Sequence, residues 1–354
     1  MQQFKNIVFF TPILDAGGVE RVFLTYAKEL LKRGYNVSFL TVYDNGIFNN
    51  LIESLKIVSL HKNRLRNSIF SLIKYLRKTN IDVFITGGEI SNAISILTVK
   101  FFGLKIKTIA SHHNYFISEH NSLINKLIVK YIYRFSNVVL SVSDGITELL
   151  IQKGVKANKI KTIYNPVDCQ SIKTLANAET TIDLPQKYIV FVGRLSPVKN
   201  LDLLLKSFSV LIKIFPEYKL VIVGDGALKN ELQKKSIDLK IENDVYFTGS
   251  VSNPYPIIKN SSVVILPSFA EALPTVVLES FVLGKTVVST PNKGAVDLLE
   301  QGKMGYIAPT FDDEKIFAQY IEKAILSPVS SAFLQSKVQE FDINNVISKL
   351  ENLF

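Results

Sequence analysis

Two carboxylates, Glu271 and Glu279, bracket the stretch Glu271-Ala-Leu-Pro-Thr-Val-Val-Leu-Glu279. A strand-like run, Ser262-Val-Val-Ile-Leu-Pro267, comes before it, and an apolar helical run follows Pro274. The pattern predicts strand, loop and helix N-terminus. Pro274 is expected at the first helical position, where its missing N–H costs nothing. Glu271 then lies at the mouth of the helix. Glu279 lies about five residues further on, roughly 7–8 Å along the axis at ~1.5 Å per residue. Between them come free backbone N–H groups and the positive end of a helix dipole. Both suit a phosphate. The layout fits a ligand with hydroxyls at its two ends and a diphosphate between them. Two acids so placed hold two ends of one ligand rather than share a proton.

Cations for a diphosphate stand elsewhere. In Phe191-Val-Gly-Arg-Leu-Ser-Pro-Val-Lys-Asn200, Gly193 gives a sharp exit from a strand, and Arg194 and Lys199 flank the turn that follows. They could clamp a diphosphate, or be two solvated surface charges. Gly17-Gly18-Val19-Glu20-Arg21 follows the first strand and opens a helix. It reads either as a loop allowing close backbone approach to an anion or as a tight turn. Gly224-Asp-Gly226 begins like a dinucleotide fingerprint, but position 229 is Lys229 rather than the third glycine. It is read as a turn. His112 and His113 are adjacent in Ala110-Ser-His-His-Asn114. Neighbours in a strand point to opposite sides, so they are poor joint metal ligands. One could hydrogen-bond near a reacting centre; otherwise both are structural.

The elements that must position these residues alternate along the chain. Strands are expected at Asn6–Thr11, Val37–Val42, Lys56–Leu60, Val83–Thr86, Lys107–Ser111, Val138–Val142 and Lys161–Ile163, with helices between them, such as Val19–Arg33, Ser68–Lys78 and Leu123–Phe135. The polar stretch Lys173–Pro185 is the expected linker. A second alternation follows, with strands at Tyr188–Val192, Lys219–Val223, Val245–Phe247, Val263–Leu266, Thr286–Ser289 and Tyr306–Ala308. This is the α/β pattern of two doubly wound, Rossmann-like domains with mostly parallel sheets. The expected division is 1–170, 171–340, and a last segment, 341–354, that crosses back to the first domain. The default ligand site is the cleft between the domains, near the carboxyl ends of the strands.

A chain of 354 residues with 47% apolar content can build two cores. One cysteine, Cys169, excludes a disulfide framework and a cysteine-rich metal site, and points to a reducing, cytoplasmic setting. The apolar part of the N-terminus is too short for a signal peptide, and no run is long enough to span a bilayer. The net charge of +10 is one-sided. Residues 1–170 carry 22 Lys+Arg against 11 Asp+Glu; residues 171–354 carry 19 against 20. In the first half Lys62, Arg64, Arg66, Lys74, Arg77 and Lys78 interleave with apolar residues, and Lys126, Lys130 and Arg134 do so with Tyr131, Tyr133 and Phe135. Such helices lie on anionic membranes, or pack one face inward with the charges in water. No nucleic-acid module is recognisable.

Taken together, the segments resemble the retaining glycosyltransferases of family GT4, which have the two-domain GT-B fold. The resemblance spans nearly the whole chain. It rests on Gly17-Gly18-Val19-Glu20, His113-Asn114, Asn165-Pro-Val-Asp168, Gly193-Arg194-Leu195 through Lys199, and Glu271 to Glu279, in the family's order. The chain departs from the family at Ala272 and Pro166, each in place of a glycine. It departs again at Lys293-Gly-Ala-Val-Asp297, where a Gly-Gly-x-x-Glu-like segment is common.

The resemblance implies roles. Arg194 and Lys199 would bind the diphosphate of a nucleotide-sugar, with the N–H groups around Leu273 and Thr275. Glu279 would hold the ribose and Glu271 the transferred sugar. Thr248-Gly-Ser-Val251 would border the nucleobase. Gly17 and Gly18 would face the donor phosphates or the acceptor. His113 would contact the sugar near its reacting carbon, with His112 in reserve. The expected donor is UDP-linked. The expected acceptor is a lipid-linked saccharide or growing glycan of surface polysaccharide at the inner membrane face. No cofactor or metal is expected. The alternatives are a nucleotide-sugar epimerase of the same fold and a non-catalytic subunit.

Overall fold

The computed structural model describes residues 5–14, 18–44, 55–113, 122–180 and 182–354. Gly17, Asn114 and His120 lie outside them. The chain forms two compact units. One comprises residues 1–166 and 343–354, the other Val167–Asp342.

Unit 1 has seven parallel strands: β1 (Asn6–Phe10), β2 (Asn36–Thr41), β3 (Lys56–Ser59), β4 (Val83–Gly87), β5 (Lys107–His112), β6 (Val138–Ser141) and β7 (Ile160–Thr162). Their order is β3-β2-β1-β4-β5-β6-β7. The connecting helices are α1 (Gly18–Lys32), α2 (Ile69–Lys78), α3 (Glu89–Phe101), α4 (Ser122–Tyr131) and α5 (Asp144–Gln152). Strands covered on both faces need near-continuous apolar runs. β4 meets this with every residue buried. One face packs against α1 through Phe9, Phe23 and Phe39; the other packs against α2 and α3 through Phe10, Leu72 and Val99.

Unit 2 has six parallel strands: β8 (Tyr188–Val192), β9 (Lys219–Val223), β10 (Val245–Gly249), β11 (Val263–Leu266), β12 (Val287–Ser289) and β13 (Tyr306–Ile307). Their order is β10-β9-β8-β11-β12-β13. The helices are α6 (Cys169–Leu175), α7 (Leu201–Leu211), α8 (Lys229–Asp238), α9 (Tyr255–Asn260), α10 (Thr275–Val282), α11 (Lys293–Leu298), α12 (Glu314–Leu326) and α13 (Ser331–Lys337). A last helix, α14 (Ile343–Glu351), belongs to unit 1. There Arg33 Nη1 meets Glu351 Oε2 at 2.6 Å, and Arg33 Nη2 donates to the Asn344 carbonyl at 3.1 Å.

Two local expectations change. The expected linker, Lys173–Pro185, lies inside unit 2, while the expected division after residue 170 falls four residues from the observed one. The division falls at Pro166–Val167, and residues 173–175 close α6, whose N-terminus Asp168 caps through Oδ1 to the Ser171 N–H at 2.8 Å. The polar composition reflects the end of a surface helix and the turn after it. Pro274 sits one position before the expected one. It is the N-cap of α10, with φ −72° and an extended ψ of 104°. Its fixed φ suits either position, and ψ decides between them.

Both sheets reverse winding direction once, between β1 and β4 in unit 1 and between β8 and β11 in unit 2. In open α/β sheets the loops at the carboxyl ends of the strands flanking such a point form a crevice that takes ligands.

Candidate active site

In unit 2 the loops after β8 and β11 carry Arg194, Lys199 and Glu271. The loop after β8 runs from Gly193 into a 3-10 turn, Pro197–Lys199, that ends on Asn200 in the left-handed region at φ 50°. An asparagine tolerates that conformation, and its side chain is tied down by donation from Nδ2 to the Phe311 carbonyl at 2.8 Å. The turn aims Lys199 across the winding reversal. Its Nζ meets Glu271 Oε1 at 2.6 Å, with side-chain exposures of only 21% and 14%. Sequence reasoning gave these residues separate ligand contacts. The fold brings together two groups 72 positions apart, and no local signal announces that. Arg194 is exposed and makes no ion pair among the described residues.

Glycines hold this edge together. Gly193 N–H donates to the Val223 carbonyl and Leu195 N–H to the Asp225 carbonyl, both at 2.9 Å. This lays the loop after β9 directly on the loop after β8. A Cβ on Gly224 would overlap the Gly193 carbonyl oxygen, and one on Gly226 would overlap the Leu195 carbonyl. Gly224 also holds φ 137°, which side chains rarely adopt. The Gly-Asp-Gly read as a plain turn is therefore the backing of the Arg194 loop. Two glycines directly after a strand are its sequence signal, and without a third glycine they match no dinucleotide fingerprint. Gly294, in the departing Lys293–Asp297 segment, does the same for Glu271. A Cβ there would collide with the Glu271 carbonyl and come within 2.9 Å of the Ala272 carbonyl. Asn292 fixes that helix start by accepting from the Ala295 N–H at 3.0 Å.

The remaining candidates of unit 2 fall along the same carboxyl edge. Leu273 is buried, so its side chain anchors the loop and only its backbone is open to chemistry. Thr275 is the exposed first residue of α10. Val277 N–H already donates to the Pro274 carbonyl at 3.0 Å, and Pro274 has no N–H. Thr275 and Val276 thus present the helix-end donors. Glu279 is half-buried, one turn into α10. Val251 is half-buried just after β10, where Gly224 N–H donates to the Gly249 carbonyl at 2.9 Å.

In unit 1 the corresponding edge places acids at two helix starts, Glu20 in α1 and Glu89 in α3, the latter 3.8 Å from His112 Nδ1, beside a buried histidine pair. His113 follows β5 and is 8% exposed. Its Nε2 lies 2.7 Å from Ser111 Oγ, and its ring stands edge-on to Phe23 at 5.9 Å between centroids. Burial, and then the neighbouring His112, push its pKa down to about 3. It is a neutral hydrogen-bonding imidazole, not a base poised near neutrality. His112 faces the other way, its Nδ1 3.2 Å from Tyr133 Oη. Asn92 Nδ2 donates to that Oη at 2.8 Å and to the Ser111 carbonyl at 2.9 Å, while its Oδ1 accepts from Thr86 Oγ1 at 2.6 Å. Gly18 opens α1, exposed, with open space where a Cβ would stand. Gly87, missed from the sequence, lets β4 close on α1, since its Cβ would lie 2.6 Å from Val19 Cγ1. Among the described residues, no group of three or more His, Cys, Asp or Glu side chains could hold a metal ion.

Two Rossmann-like parallel sheets in one chain, the second with a cation–carboxylate pair across its winding reversal, fit the GT-B architecture. The solved structure of Anabaena HepE in complex with UDP superposes at a TM-score of 0.81, with 98% of each chain covered and 20% identity. Residues 16–171 match the family described as Glycosyltransferase Family 4, and residues 173–340 match Glycosyl transferases group 1. The chain belongs to this glycosyltransferase family. It is 31% identical to an uncharacterized glycosyltransferase of Haemophilus influenzae over 86% of each chain. It is 30% identical to the GalNAc-alpha-(1->4)-GalNAc-alpha-(1->3)-diNAcBac-PP-undecaprenol alpha-1,4-N-acetyl-D-galactosaminyltransferase of Campylobacter jejuni, over 90% of this chain and 88% of the relative.

Proposed function

We propose that the protein is a retaining glycosyltransferase that moves a hexosyl or N-acetylhexosaminyl group from a UDP-sugar to a lipid-linked or growing glycan acceptor of surface polysaccharide. The Lys199–Glu271 pair across the winding reversal carries this reading. A carboxylate can accept from two adjacent sugar hydroxyls while the ammonium beside it keeps donors for a phosphate oxygen. The UDP complex of the Anabaena neighbour and the undecaprenol-linked acceptor of the Campylobacter relative support donor and acceptor classes.

The chemistry follows from charge. As the sugar–phosphate bond breaks, negative charge grows on the departing diphosphate and positive charge on the anomeric carbon. Arg194, Lys199 and the Thr275 and Val276 N–H groups stabilise the first more in the transition state than in the ground state. No metal need be invoked for that step. Glu271 fixes the sugar through its hydroxyls, Glu279 the ribose, and the segment Thr248–Val251 the base. Leu273 keeps the Glu271 loop in place by burial. Neutral His113 hydrogen-bonds the transferred sugar, and Gly17 and Gly18 give backbone access. The basic first half brings the enzyme to an anionic membrane surface at the cytoplasmic face.

The test is the anomeric outcome. Incubation with UDP-sugar and a short lipid-diphosphate acceptor, followed by proton NMR of the new linkage, should give an α-linked product from an α-donor, unaffected by chelator. A β-linked product overturns the retaining mechanism. Conversion of donor without acceptor would favour an epimerase.

A further inference from the structure

A pocket of about 660 Å³ opens at the amino-terminal edge of the unit 1 sheet, where α3 turns into β5. This is the end of β5 away from His113. Lys107 and His112 are five residues apart on the strand, roughly 17 Å at ~3.3 Å per residue. The floor is apolar, including Ile96, Val99 and Leu104; the rim is Lys100, Lys105, Lys107 and Phe135.

The rim charge is not neutralised. None of Lys100, Lys105, Lys107, Arg134, Lys156 or Lys159 pairs with a carboxylate among the described residues. Lys159 is held beside the pocket by donation to the Arg134 and Ser136 carbonyls, at 2.6 and 2.7 Å. Burial, and then the charges of Lys156 and Lys100, push its pKa down. The shift reflects burial first and the neighbouring like charges second. On the wall, Asn137 Oδ1 accepts from the Thr108 N–H and hydroxyl at 2.9 and 3.0 Å, which leaves its amide N–H groups as donors.

Large apolar side chains stand exposed beside these cations. Phe101 is 78% exposed, and Phe102 lies under the Arg77 guanidinium at 5.0 Å. On α4, Leu123, Ile124, Leu127 and Tyr131 form one exposed stripe at helical spacing, while Ile128 and Val129 face the core. Because α4 lies between β5 and β6 in the chain and these strands are parallel, the stripe from Leu123 to Tyr131 runs about 12 Å along the sheet. Cations interleaved with exposed aromatic and aliphatic groups are the pattern of an interfacial lipid site.

We propose that this pocket seats the phosphate of an anionic phospholipid, so that unit 1 lies on a bilayer along α4. The pocket is the distal anchor and the Leu123–Ile124 end the near one. An acceptor held in the same bilayer then meets the edge that carries His113. The inference deepens the proposed function by naming the lipid class and residues of the membrane contact, and only its last step rests on that reading.

Vesicle sedimentation tests it, with the full chain and vesicles of phosphatidylcholine with or without 30% phosphatidylglycerol (about that fraction suffices for a negative surface). The protein should pellet with the anionic vesicles and lose binding as salt rises. The double variant Lys100→Gln/Lys105→Gln should partition about 30-fold less, from a factor of about five per lysine. It should keep its thermal midpoint and its response to UDP. Phe101→Ser should weaken binding to the same vesicles without changing the salt dependence. Equal binding to neutral vesicles, or an unaffected double variant, overturns the proposal. So does displacement from vesicles by millimolar inorganic phosphate, which would mark a free-phosphate site. If the protein binds anionic vesicles but never consumes UDP-sugar, the proposed function fails and the lipid site stands.

Discussion

The two units share one winding plan and differ in what they place at its reversal. In unit 2 the loops flanking the reversal carry Arg194, Lys199 and Glu271, on backbone packed so closely that three glycines have no room for a Cβ. In unit 1 the segments that follow the flanking strands carry carboxylates: Glu20 Oε1 accepts from Thr11 Oγ1 at 3.1 Å after β1, and Glu89 opens α3 after β4, with buried His113, Ser111, Asn92 and Tyr133 beside them. The cationic excess of the first half lies instead on helices and at the far edge of the sheet. Strand order thus fixes where a ligand can sit, and the loop residues decide which. On the function proposed above, unit 2 would take a ligand with anionic and hydroxyl groups, and unit 1 an acceptor beside a negatively charged surface.

Breaking the charged pair is the strongest attack on that contrast. Glu271→Gln keeps the shape and removes the charge. It should lower kcat about 10²–10³-fold, the usual cost of one transition-state contact, with a much smaller change in UDP affinity. Steady-state kinetics with separate UDP titrations measure both. Next comes the backing of the cation loop. Gly224→Ala should destabilise unit 2 by at least ~2 kcal/mol, through overpacking and backbone strain. Chemical denaturation should show this as a lower midpoint, with weaker UDP binding. A mild effect there would mean the loops after β8 and β9 are not locked together. Arg194→Ala follows, expected to weaken UDP binding about 10- to 100-fold, as for a charge-assisted hydrogen bond, without loss of stability.

The unit 1 predictions are smaller. His113 stays neutral in the folded state to about pH 3, whereas an unfolded histidine takes up a proton near 6.5. Between those values the unfolded chain binds more protons. Stability therefore falls as pH drops through that window and is fully present above about 6.5. His113→Gln should flatten the acid limb of the midpoint-against-pH curve relative to the wild type; an unchanged limb would mean His113 is protonated or solvated. The smallest effect on folding is expected for Gly18→Ala. Its new Cβ meets nothing, so the midpoint should hold or rise slightly, as alanine favours a helix. A fall in transfer would then report ligand approach.

Much of this was legible in the sequence. Buried parallel strands read as short Val/Ile/Phe runs, and each expected strand is found within two residues of its bounds. Arg194, Lys199, Glu271 and Thr275 could be placed on loops and a helix start because glycine and proline punctuate them. Three things were hidden. The Lys199–Glu271 pair joins loops after strands that are neighbours only in space. The need for Gly224, Gly226 and Gly294 arises from backbone approaching across the sheet edge, which no local pattern encodes. The linker is expected at polar residues beyond the division because composition cannot distinguish a linker from the exposed end of α6.

On the proposed function, the carboxyl edge of unit 2 binds the nucleoside diphosphate through Arg194 and Lys199. Calorimetric titration of UDP into the wild type and Arg194→Ala/Lys199→Met tests it most directly. Saturable one-to-one binding to the wild type, lost in a double variant that still folds, is the predicted result. Undiminished binding to the double variant, or no binding of any nucleoside diphosphate by the wild type, would contradict it.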